Sequence, residues 1–256
     1  LMKRLTCVIL LILFSFSTGA QEKKVLYITR TENPPKIDGI LDDDVWQNAE
    51  EANNFVQFRP DMGTIEQPHQ KTSVKMAYND NAVFFAAYLH DDPKEIRKQF
   101  TTRDNFGQSD FFGIIINPNN DGQNDTEFFV FSTGTQADAT VSAGGREDFG
   151  WNAVWKSATQ KRDDGWSFEM RIPFSAIRFP NTDVQNWNIN IAREVRRNRQ
   201  RSYWNPVNPE VYGEITQSGK LEGVKNIKSP IRLSLSPYVT DYVENSYDQT
   251  WRNRIA

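Results

Sequence analysis

The stretch KTSVKMAYNDNAVFFAAYLHDDP, residues 71–93, decides the fold. Val74, Met76 and Tyr78 take every second position, the period of a strand with one buried face. Asn79-Asp80-Asn81 supplies turn chemistry, and the chain returns as a second apolar run that Pro93 stops. The same grammar recurs in DFFGIIINP (110–118), TEFFVFS (126–132), GWSFEMRIPF (165–174) and NWNINIAREV (186–195), each bounded by Gly, Asn, Asp or Pro. Seven Trp, eight Tyr and seventeen Phe in 256 residues suit pleated, half-buried surfaces.

Helical periodicity is short by comparison. Asp42 to Ala49 is the best stretch, with Asp42 as the expected N-cap and further acids in the first turn, where the helix dipole favours negative charge. The Asp42-Asp43-Asp44 run therefore reads as capping, and Trp46 as core. Many short strands with one or two short helices predict an all-β, jelly-roll-like antiparallel β-sandwich over residues 25–228.

A net charge of -3 argues against nucleic acid as a partner. Residues 1–20 read as a signal peptide, with a basic start at Lys3-Arg4, an apolar run from Leu5 to Phe16 and small residues ending at Ala20. That predicts export across an inner membrane, to the periplasm, outer membrane or cell surface. Cys7 lies inside this segment, so the mature chain holds no cysteine and no disulfide. The Leu ahead of Met2 and the ending at Ala256 suggest part of a longer reading frame.

PKIDGILDDDVWQNA (35–49), VKMAYNDNAVFFAAYLHDDP (74–93), SDFFGIIINPNNDG (109–122) and DGWSFEMRIPFSAIRF (164–179) together resemble the family-nine carbohydrate-binding modules. With WNAVWKSA (151–158) and REVRRNRQRSYWNP (193–206), the chain is similar to secreted proteins that carry this module ahead of an outer-membrane barrel. Residues 229–256 are then the start of a following domain. Ile231, Leu233 and Leu235 alternate there as a first barrel strand or a last sandwich strand.

The resemblance implies a sugar held between two tryptophans, polar groups on its hydroxyls, and structural calcium. Trp204 matches the C-terminal tryptophan. The first falls on Gly107, leaving Phe106 beside it; the acidic contact falls on Gly113 and the arginine near Val154. Trp151 and Trp155 read mainly as core, with Trp151 the better candidate for exposure. Arg146 and Glu147 occupy a Gly-rich loop able to present them to a ligand. Arginines 193, 196, 197, 199 and 201 read as a solvated hairpin, or alternatively as a surface for an anionic glycan, acidic or sulfated, or for lipopolysaccharide. The sugar-binding expectation is thus Trp204, Phe106, Trp151 and Arg146.

For calcium the candidates are Asn117, Asn119 and Asp121 at alternate positions before Gly122, with Asp125 beyond. A plain Asn-Asp-Gly turn explains the segment equally well. Catalysis has little support: His69 and His90 lack metal-ligand spacing, and nothing selects a pair from Asp110, Glu127, Glu147 and Glu169. The expected function is a non-catalytic module that captures glycans beside a glycoside-hydrolysing activity located elsewhere. The alternative is a scaffold domain of a barrel protein without a sugar site.

Overall fold

The computed structural model describes residues 22–230, except 143, 144 and 212, together with the paired strands Asp241–Asn245 and Trp251–Ile255. The segment expected to be a signal peptide and the Ile231–Leu235 alternation lie outside the described residues.

Two sheets face each other. The larger has nine strands, running from the edge Val25–Tyr27 through Gly219–Glu222, Trp187–Val195, Phe111–Asn117, Asn124–Phe131 and Gln136–Ser142 to Glu147–Asp148. Gln200–Tyr203 joins it beside Trp187–Val195 and carries Val56–Arg59 on its outer side. The smaller sheet has six strands, built on Lys156–Arg162, Gly165–Pro173, Ala82–His90 and Thr72–Tyr78. The expected hairpin is present: Thr72–Tyr78 pairs antiparallel with Ala82–His90, Met76 facing Phe85 and Tyr78 facing Val83.

Alternation places the core between the sheets. Val74, Met76, Phe85 and Leu89 of the smaller sheet meet Phe112, Ile114, Ile116, Phe128, Ile189 and Ile191 of the larger, all fully buried. Each such side chain contributes about 1.5–3 kcal/mol by leaving water. Two edge pairings depart from the antiparallel expectation. Val25–Tyr27 runs parallel to Gly219–Glu222, and Thr29–Arg30 runs parallel to Thr72–Tyr78. The N-terminal segment crosses from one sheet to the other within a few residues, so it meets both edges in whatever direction they already run.

The acid run is scaffolding, though not as the N-cap reading has it. The helix is Asp44–Asn48, the cap position is Asp43 rather than Asp42, and no side-chain cap bond forms. Asp43 instead accepts the Lys36 N–H at 3.2 Å. Trp46 is buried as expected, and its indole N–H donates to Glu169 Oε1 at 2.8 Å. The other Glu169 oxygen accepts the Asp38 and Gly39 N–H groups at 3.0 Å each. Glu169, offered by the sequence as a catalytic carboxylate, thus pins the N-terminal loop to the outside of the smaller sheet.

Because Phe112, Ile114 and Ile116 point inward, Phe111, Gly113 and Ile115 must point outward from the larger sheet. The neighbouring strand directs Asp125, Glu127 and Phe129 the same way.

Candidate binding groove

That outer face is a groove of about 440 Å³ rather than an open surface. Its floor is Phe111, Ile115, Glu127, Phe129 and Ala192, and Phe58 and Tyr203 form one wall. Gly145 and Glu147 close one side, and the turn carrying Gly213, Glu214 and Ile215 closes the other. Gly113 is required here by packing: a Cβ on it would come within 2.8 Å of the Phe129 ring. Phe129 therefore lies down across the floor.

Phe106 reaches the groove from the loop before Phe111–Asn117. Its ring sits edge-to-face on Phe111 at 5.1 Å, Phe129 at 5.0 Å and Phe149 at 5.4 Å, measured between centroids. Phe58 and Tyr203 meet edge-on at 5.6 Å. Such pairs contribute about 0.5–1.5 kcal/mol beyond their buried area and hold the rings in fixed orientations.

Carboxylates crowd the same space. Burial pushes Glu127 up to about 8, helped by repulsion from Glu147, Asp125 and Glu214 and opposed by Arg201. Burial likewise raises Asp125 to about 7. Glu127 Oε2 and Asp125 Oδ1 are shut off from solvent without a hydrogen-bond partner. At the far end Glu194, fully buried, accepts both Arg59 (2.9 and 3.1 Å) and the Arg201 Nε at 3.0 Å, with Arg196 at 3.6 Å. Arg201 also lies over the Phe111 ring, 5.5 Å from its centroid.

Of the four residues expected to bind sugar, Phe106 alone lines this groove. Trp204 is corrected to a core residue, 3% exposed, packed so closely on Gly219 that a Cβ there would come within 2.7 Å of its ring. Strand parity is the reason: Arg201 and Tyr203 line the groove, and Trp204, next in line, turns in. Trp151 packs edge-on against Phe128 at 6.0 Å, on the core side of the sheet. Arg146 is exposed beside Gly145 and Glu147 but does not line the cavity.

Four of the five arginines are held by protein partners rather than solvated, while Arg199 stands exposed. Arg193 is buried, donating to Gln70 O, Thr72 Oγ1 and His90 O at 2.5, 2.9 and 2.6 Å. Arg197 grips Asp91 with two bonds of 2.7 and 2.6 Å. Their charges are spent inside the protein.

The calcium candidates form a turn. Asp121 Oδ1 accepts the Gln123 N–H at 2.9 Å and the Asn117 side-chain amide at 3.2 Å, while Asn119 stands exposed. Asn117 Oδ1 and Asp125 Oδ1 are buried without a hydrogen-bond partner. Among the described residues no group of three or more His, Cys, Asp or Glu is placed to hold a metal ion.

Sequence reasoning missed Tyr203, Phe129 and Phe58 as groove residues, offered Glu127 as one of several unselected carboxylates, and placed Glu147 in a Gly-rich loop able to present it to a ligand. One signal was available: Glu127 stands in TEFFVFS, an acid set directly against the apolar run Phe128–Phe131. A buried charge without a sequence-adjacent partner marks a site more often than a surface glutamate does.

The family model for the carbohydrate family 9 binding domain-like group matches residues 37–221, well over half of the sequence. The chain belongs to that family. Among solved structures, a family 9 carbohydrate-binding module from Caldicellulosiruptor kristjanssonii in complex with cellotriose is similar at 16% identity, with a TM-score of 0.54 over 84% of this chain and 99% of that one. Its glucose complex gives 16%, 0.53, 84% and 100% for the same quantities. A Bacteroides uniformis structure is similar at 13% identity, with a TM-score of 0.64 over 78% of this chain and 99% of the other. At these identities the likeness speaks for the family 9 fold. No curated protein matches the chain.

Proposed function

We propose that the groove on the outer face of the larger sheet binds a sugar. The observation that carries this is the combination of a fixed aromatic floor with carboxyl side chains that form no ion pair among the described residues, lining one cavity. An aromatic ring accepts the C–H face of a pyranose, and a carboxylate accepts its hydroxyls. Family membership supports the reading, as do the cellotriose and glucose held by the Caldicellulosiruptor module of the same fold. In this proposal the module captures glycan, and bond cleavage belongs to a separate glycoside-hydrolysing activity.

A glycan array followed by calorimetry on the best ligand tests it. Phe106→Ala removes a partly exposed ring and should weaken binding by about tenfold, the equivalent of one lost stacking contact. The circular dichroism spectrum should be retained. If the wild-type chain binds no glycan, the sugar reading fails and the scaffold role takes its place.

A further inference from the structure

The charged side chains that line the groove are unequally committed. Arg59 and Arg201 both close on Glu194, and Asn190 spends its amide on Asn205 O at 3.0 Å and its oxygen on the Ile191 and Asn205 N–H groups. Asp125, Glu127, Glu147 and Glu214 form no ion pair among the described residues. Glu127 is the telling one. It is 9% exposed, has no hydrogen bond among the described residues, and has one oxygen sealed from water. Burial and its acidic neighbours hold that carboxyl protonated, and a cation arriving beside it favours the ionised form.

We infer that the groove selects a glycan bearing a cationic amine, a glucosamine-type sugar, with Glu127 as its anchor. This rests on the sugar-site reading and narrows it. Asp125, two positions along the same strand, and Glu147 and Glu214, from opposite rims, surround Glu127 with negative charge. Arg201 is the cation that faces Glu127, and Glu194 holds it. Arg146, the free cation nearby in sequence, lies outside the lining. An ammonium group brings positive charge to a groove whose carboxyl groups form no ion pair among the described residues. A uronate or sulfated sugar would instead add like charge to a cavity already lined with carboxylates, which reverses the preference the arginine run suggested. The apolar floor of Phe111 and Phe129 remains for the sugar ring.

Calorimetry on the full chain at neutral pH and low salt decides this, with four tetramers as probes: glucosamine, N-acetylglucosamine, cellotetraose and galacturonate. The glucosamine tetramer should bind about tenfold tighter than its N-acetylated form or cellotetraose, as one charge-assisted bond would give, and the galacturonate tetramer should not bind. Glu127→Gln should abolish the preference. Glu147→Gln, at an exposed position that leaves folding alone, should reduce it. Equal or tighter binding of cellotetraose, or any tight binding of galacturonate, overturns the amine inference and leaves the sugar site standing. If none of the four binds, the sugar site itself falls, and this inference falls with it.

Discussion

Glu127 shows what one residue does to the whole chain's pH response. Its carboxyl holds a proton up to about 8 in the folded state, because burial and the neighbouring acids disfavour the charge. In the unfolded chain it ionises near an ordinary glutamate value of about 4.3. Between those values the folded state binds a proton that the unfolded state lacks, so stability falls as pH rises, and the loss is complete above about 8. Asp125, raised to about 7, acts in the same direction. Glu127→Gln should therefore leave the melting temperature nearly unchanged near pH 5 and raise it by several degrees near pH 9, given about 2–4 °C per kcal/mol in a chain of this size. Melting curves across that range check it; an equal shift at both ends would show that the residue does not titrate as described.

At the scale of elements, the joint between Trp187–Val195, Gln200–Tyr203 and Val56–Arg59 is held by charge as well as by its ladders. Glu194 is the hub, buried completely, with three guanidinium groups around it. Removing one member of such a cluster strands the others. Glu194→Ala should cost about 3 kcal/mol by urea unfolding, the low end for a broken buried pair because Arg59 reaches solvent and can rehydrate. The loss should be largely independent of salt, since the carboxylate is out of water. A cost under about 1 kcal/mol would mean that the cluster behaves like an ordinary surface ion pair.

For the molecule as a whole, the N-terminal segment is the clasp. Within residues 25–30 it pairs with one edge of each sheet and contributes the buried side chains Leu26 and Ile28. A chain beginning after Arg30 loses both, about 1.5–3 kcal/mol for each side chain, and exposes two strand edges. Such a truncation should melt at a clearly lower temperature and aggregate on concentration by light scattering. Unchanged melting and a monodisperse sample would show that the sheets hold without it.

Several features were readable before any tertiary contact. The alternation of Val74, Met76 and Tyr78 and the turn at 79–81 specify a hairpin, because both are local properties of a pleated chain. Trp46 as core was legible too, but the capping expected of the acid run was not realised: no side-chain cap bond forms, and Asp43 holds the Lys36 N–H instead. Strands such as DFFGIIINP were a different matter, being apolar on both faces, so that periodicity alone names no inner side. Only sheet packing decided that Ile114 points into the core and Ile115 into the groove, that Trp204 turns in while Tyr203 turns out, and that Arg193 and Arg197 spend their charge on carbonyls and Asp91. A one-residue step reverses the face of a side chain in a strand, and which face is buried is set by the opposing sheet, which is remote in sequence.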